Sequence, residues 1–162
     1  MNRLSRFLAL ALAAVALAAC SKKPEEKPAA APIVLAAPTD GDSRAWREYI
    51  TNVVRKHGSP DAQQNFTYFL SAEQAADDQI FGRQVDNVGG AISRGVTAGT
   101  QLIFVSPDTE KMVELVEEAF QYAGPSSMNG VRVIFVGDPE HEARVREKVE
   151  PTGAELVFVE LK

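Results

Sequence analysis

The chain is predicted to be an α/β protein in which helices pack on a small, mostly parallel sheet of about four strands. The expected order is helix-strand-helix-strand-helix-strand-helix-strand. Three observations predict it. Leu102 to Val105, Val133 to Val136 and Leu156 to Val159 are short continuous apolar runs, as parallel strands covered on both faces require. Between them lie segments whose apolar residues recur every three or four positions, the signature of one helical stripe. Finally, "LIFVSPDTEKMVELV" and "VIFVGDPEHEARVREKV" both run strand, cap, helix, a weak internal duplication with too few copies for a solenoid. Right-handed crossovers then set the strands parallel.

The first helix is expected from Asp42, its cap, to Gly58, its stop, because Trp46, Ile50, Val53 and His57 keep helical spacing. Ser59-Pro60-Asp61 turns the chain into a short aromatic strand, Phe66 to Leu70. Ser71 and Gln74 form a capping-box signature for a second helix, whose period is carried by Ile80, Phe81, Val85, Val88 and Ile92. Gly82, Gly89 and Gly90 lie in that helix, and each costs about 1 kcal/mol against alanine, so a break is expected near Gly89. Gly95 to Gly99 is glycine-rich but precedes a strand, whereas phosphate-binding fingerprints follow one, so it is a connector.

A third helix, about Pro107 to Tyr122, places Met112, Leu115, Val116, Ala119 and Phe120 on one stripe before Gly124-Pro125. A fourth runs from Pro139 to about Val149 and stops at Pro151. Ser106-Pro107 and Asp138-Pro139 each set a capping side chain before a proline suited to the first helical position.

The chain begins with Arg3 and Arg6, an apolar run from Phe7 to Leu17, and small residues at Ala18 and Ala19. That is the layout of a signal peptide. Phe7 to Cys20 is 14 residues, short of the roughly 20 that a membrane-spanning helix needs. Leu17-Ala18-Ala19-Cys20 resembles the lipobox of bacterial lipoproteins. The resemblance implies removal of residues 1–19, diacylglyceryl transfer to the Cys20 sulfur and, commonly, acylation of the new terminus. Two or three acyl chains on one residue make a stable membrane anchor. Ser21 stands where retained lipoproteins mainly carry Asp, which implies the outer membrane, facing the periplasm. Lys22 and Lys23 keep the inner membrane open as an alternative.

Residues 20–42 hold Pro24, Pro28, Pro32 and Pro38 among Ala, Lys and Glu, and are expected to be a tether that adds reach but no stability. Ile33-Val34-Leu35 interrupts its polarity. Residues 43–162 are expected to form the single α/β domain.

Charge and composition limit the function. Removing the leader with its two arginines takes the formal charge from −5 to −7, which disfavours nucleic acid as a partner. One cysteine allows neither an internal disulfide nor a cysteine metal cluster. The place to search for a ligand is the edge beyond the strands' carboxyl ends, where Ser106, Asp108, Asp138 and His141 gather. Capping accounts for Ser71, Ser106 and Asp138, and carboxylates at helix starts repel phosphate. No nucleophile elbow, zincin pair or metal-ligand spacing is present, and the two histidines, His57 and His141, read as surface residues. Catalytic residues, metal and cofactor are therefore assigned to none. The expected function is a lipid-anchored envelope protein whose acidic domain is a protein-interaction module, either a machinery component or an immunity-type partner. The alternative is a small-molecule binder or hydrolase that uses the edge near Ser106, Asp108, Asp138 and His141.

Overall fold

Each strand pairs with the next one along the chain. In the computed structural model, which describes residues 35–39 and 41–162, β1 (Gln64–Phe69), β2 (Thr100–Val105), β3 (Arg132–Gly137) and β4 (Glu155–Glu160) form one sheet. All pairs are parallel, in the order β1-β2-β3-β4. The described residues fall in one compact unit, Pro32–Lys162, while the other unit, Met1–Ala31, lies outside them. The lipobox, Cys20, Ile33 and Val34 are likewise outside the described residues.

With this strand order, crossovers of one hand carry every connecting helix to the same face of the sheet. Those helices are α2 (Ala72–Ala76), α3 (Asp78–Ser93), α4 (Thr109–Ala119) and α5 (Glu142–Val149). They close over Leu102, Phe104, Val133 and Phe135, side chains that alternate along β2 and β3. The intervening residues Ile103, Val105, Ile134 and Val136 point to the other face. That face is covered by α1 (Ser43–His57) through Trp46, Tyr49, Ile50 and Val53. β2 and β3 are thus buried on both sides, as their unbroken apolar sequences require. Among the described residues, both layers of core lie within the compact unit. Among the described residues, no helix is long and apolar enough to cross a membrane.

Three local expectations are corrected. The second predicted helix breaks at Asp77 rather than near Gly89. The Asp77 carboxylate accepts from the backbone N–H groups of Gln79 and Ile80, both at 2.9 Å, and so starts a new helix. α3 then continues through Gly89 because α4 and the 3-10 turn after it come close: a Cβ on Gly89 would lie 2.7 Å from Tyr122 Cδ2. At this position glycine allows the approach instead of ending the helix.

Pro107 does not open α4. Asp108 stays extended and its carboxylate accepts from Lys111 N–H, while Ser106 Oγ accepts from Asp108 N–H at 3.0 Å. A second acceptor two residues beyond Ser106 takes over as cap and moves the helix start to Thr109. Pro139 opens a 3-10 turn, Pro139–His141, ahead of α5, and the Asp138 side chain makes no capping bond there.

Leu35 and Ala37, inside the segment read as tether, pack against the α1 layer, and Ala37 N–H donates to the Lys162 carbonyl. A chain that starts at Asp42 is therefore expected to be less stable by about 1 to 2 kcal/mol, the apolar contact it gives up. Urea unfolding measures this, and an unchanged midpoint would show that the contacts contribute nothing.

Candidate functional site

A parallel sheet puts the carboxyl ends of all its strands on one edge, and the predicted ligand residues lie along it. Ser106, immediately after β2, is fully buried, and its hydroxyl is engaged by its own loop. Asp108 is half-buried and caps α4. Thr109 Oγ1 donates to Asp138 Oδ2 at 2.6 Å, tying the loop after β2 to the loop after β3. The carboxylate predicted as a helix cap is instead a strut between adjacent βα units. This short bond to an ionised acceptor is of the stronger kind.

His141 is buried, contrary to the surface reading. Its Nδ1 lies 3.5 Å from Glu110 Oε2 and its Nε2 3.7 Å from Glu140 Oε1. Arg144 continues this network, donating to both oxygens of Glu110 and, through Nε and Nη2, to Glu117. The hydrogen bond from Arg144 holds the Glu117 carboxyl below the usual carboxylate range, against an opposing effect of burial. α4 and α5 are thereby clamped across their outer surfaces. His57, half-buried near the end of α1, has its pKa lowered by burial and by the neighbouring Lys56.

The structure therefore brings Thr109 and Asp138 together, and His141 to Glu110. Among the described residues no hydrogen bond joins Ser106 to either histidine, so a hydroxyl and a base are not paired. Nor do three or more His, Cys, Asp or Glu side chains converge there as a metal site requires.

A different surface stands out along β1, which sequence reading did not single out. Its six residues, Gln64 to Phe69, carry no charge and no proline, the usual protection of an exposed strand edge. Leu70 donates its N–H inward to the Val105 carbonyl, so by alternation the N–H and C=O of Thr67 point outward. Phe66 is 48% exposed. Concavities lie on both sides of the strand. One of about 590 Å³ runs between β1 and α1, lined by Trp46, Ile50, Thr67 and Phe69. The other, about 250 Å³, lies toward the end of α3 and is lined by Phe66, Tyr68 and Val96. Ser106, Asp108, Asp138 and His141 line neither. The start of β1 is pinned by the buried Gln101, which accepts from Ser59 N–H at 2.6 Å and donates to Asn65 Oδ1 at 2.7 Å.

Comparison of the chain with protein-family models, curated proteins and solved structures finds no match.

Proposed function

We propose that this protein is an envelope lipoprotein, acylated at Cys20 and held at the outer membrane facing the periplasm, whose α/β domain binds an extended segment of a partner protein along β1. The observation that carries the binding reading is the open, uncharged edge of β1 with a groove on each face in which aromatic side chains are mixed with polar ones. Strand addition uses these features: outward backbone groups supply affinity, and pockets on alternate sides take alternate side chains of the incoming segment. The polar groups at the strand-end edge bond within their own loops or, for Thr109 and Asp138, to each other across adjacent βα units, which favours binding over hydrolysis there. α4, which lines neither groove, is acidic, with Glu110, Glu114, Glu117 and Glu118 against Lys111, whereas the charged residues beside β1 are Arg47 and Glu73 in one groove and Arg94 in the other.

The test has two parts. Labelled palmitate is expected to enter the wild-type chain and not the Cys20→Ser variant; equal labelling would overturn the anchor. A photo-crosslinking residue at position 66 is expected to capture one envelope protein through a short apolar-alternating segment. Thr67→Pro, at an outward-pointing N–H, is expected to abolish the crosslink while the melting temperature is kept. A crosslink that persists in Thr67→Pro would exclude strand addition.

A further inference from the structure

The two helical layers differ in how their cations are used. On α1, Arg44, Arg47, Arg55 and Lys56 are all exposed, against the single acid Glu48. At 3.6 residues per turn, Arg44, Arg47, Thr51 and Arg55 share the stripe that faces away from Trp46, Ile50 and Val53. Among the described residues, none of these four cations is in an ion pair; Arg47 and Arg55 donate only to Ser43 O and Asn52 Oδ1. On the opposite layer Lys111, Arg144, Arg146 and Lys148 are each paired with glutamates of their own or an adjacent helix, and among the described residues only Arg83 and Arg94, both on α3 and its cap, stand outside an ion pair there.

A second observation concerns where the chain enters. Leu35 and Ala37 pack into the α1 layer, so the described chain starts on the basic side, and residues 21–34 separate it in sequence from Cys20. Fourteen residues at about 3.1 Å each reach up to roughly 45 Å, ample for that side to meet the surface that holds the anchor.

We propose that the outward face of α1 docks on the anionic phospholipid surface of the membrane in which Cys20 is anchored, a proposal that rests on the lipoprotein reading. Unpaired arginines on one stripe meet phosphate headgroups without breaking any internal ion pair. The acidic layer then faces away from the bilayer, and the β1 edge lies beside the docked face, since Arg47 and Thr51 of the stripe also line the groove between α1 and β1.

Vesicle flotation of the compact unit from Pro32, which carries both described core layers but not Cys20, tests this. The unit is expected to float with phosphatidylcholine vesicles that contain phosphatidylglycerol, at least about tenfold more than with phosphatidylcholine alone, and to be released by salt. Combined Arg44→Glu, Arg47→Glu and Arg55→Glu is expected to abolish flotation, whereas lysine at the same three positions retains it. Lys148→Glu, on the other layer, leaves it unchanged. Melting curves verify that each variant is folded. Equal flotation with both vesicle types, or flotation that survives the triple glutamate change, overturns the proposal. So does low-salt self-association lost in that variant, which would assign the face to the acidic layer of a second copy. Because the fragment has no anchor, a palmitate-labelled chain whose unit fails to float refutes only the docking face. An unlabelled chain whose unit floats refutes only the anchor.

Discussion

Phe104→Ala is expected to lower the stability of the domain by about 3 to 5 kcal/mol, a large part of the roughly 5 to 15 available to a domain of this size. Phe104 lies in the middle of β2 with no exposed surface. Its ring stacks on Tyr68 with centroids 5.2 Å apart and meets Phe120 edge-on at 6.0 Å. Its neighbour across the β2–β3 ladder is Phe135, which is also fully buried. Removing the ring leaves a cavity between the sheet and the four-helix layer that neither strand backbone can collapse to fill. Urea unfolding reads the loss as a lowered midpoint, and Phe104→Leu should recover most of it. A loss below about 1 kcal/mol would mean that this layer repacks freely, and that its aromatic contacts do not determine the fold.

Gly137→Val is expected to cost about 3 kcal/mol by overpacking. Gly137 ends β3 and is buried. A Cβ there would stand 2.5 Å from Phe135 Cε1 and closer still to Thr109 Cγ2. Neither neighbour yields readily: Phe135 is enclosed, and the Thr109 hydroxyl is bonded to Asp138. Gly82 provides the contrast, since a Cβ on that α3 glycine would touch nothing. Gly82→Ala should therefore stabilise by about 1 kcal/mol through helix propensity alone. Thermal or urea unfolding of the pair separates lack of space from a general intolerance of glycine substitution. Near-native stability of Gly137→Val would show that the strut between the two loops is pliable.

The sheet was legible in the sequence because burial on both faces leaves an uninterrupted apolar run, and Leu102 to Val105 and Val133 to Val136 have one. Capping chemistry was equally legible at Ser71, whose box with Gln74 has both reciprocal hydrogen bonds. It misled at Ser106 and Asp138, since a serine or aspartate before proline predicts an acceptor but not which N–H or hydroxyl will take it. Thr109, 29 residues away in the chain, supplied the donor that Asp138 accepts. Gly89 misled for a related reason, because helix propensity is local while the Tyr122 ring that requires a glycine comes from another element. At the candidate site, the uncharged run from Gln64 to Phe69 was visible as a strand. That it ends the sheet depends on strand order, which apolar runs do not encode. The α1 stripe of Arg44, Arg47 and Arg55 was readable from spacing alone, but a whole-chain net charge of −5 averages it away.

Pairing of every strand with its successor still sets ladder partners far apart in the chain, Gln64 opposite Thr100 and Gln101 opposite Arg132, and parallel pairings that must first close such loops form slowly. Each βα unit can add to the edge left by the one before it. The α1 layer has no such freedom: Trp46 and its neighbours rest on residues of β2, β3 and β4, so α1 finds its complete seat only after the later strands are laid down. The Ala37 bond to the carbonyl of Lys162 likewise joins the segment before α1 to the segment after β4. Trp46 is the sole tryptophan, and it packs with its ring 5.5 Å from Phe69. Tryptophan emission during refolding thus follows the seating of α1 on the sheet.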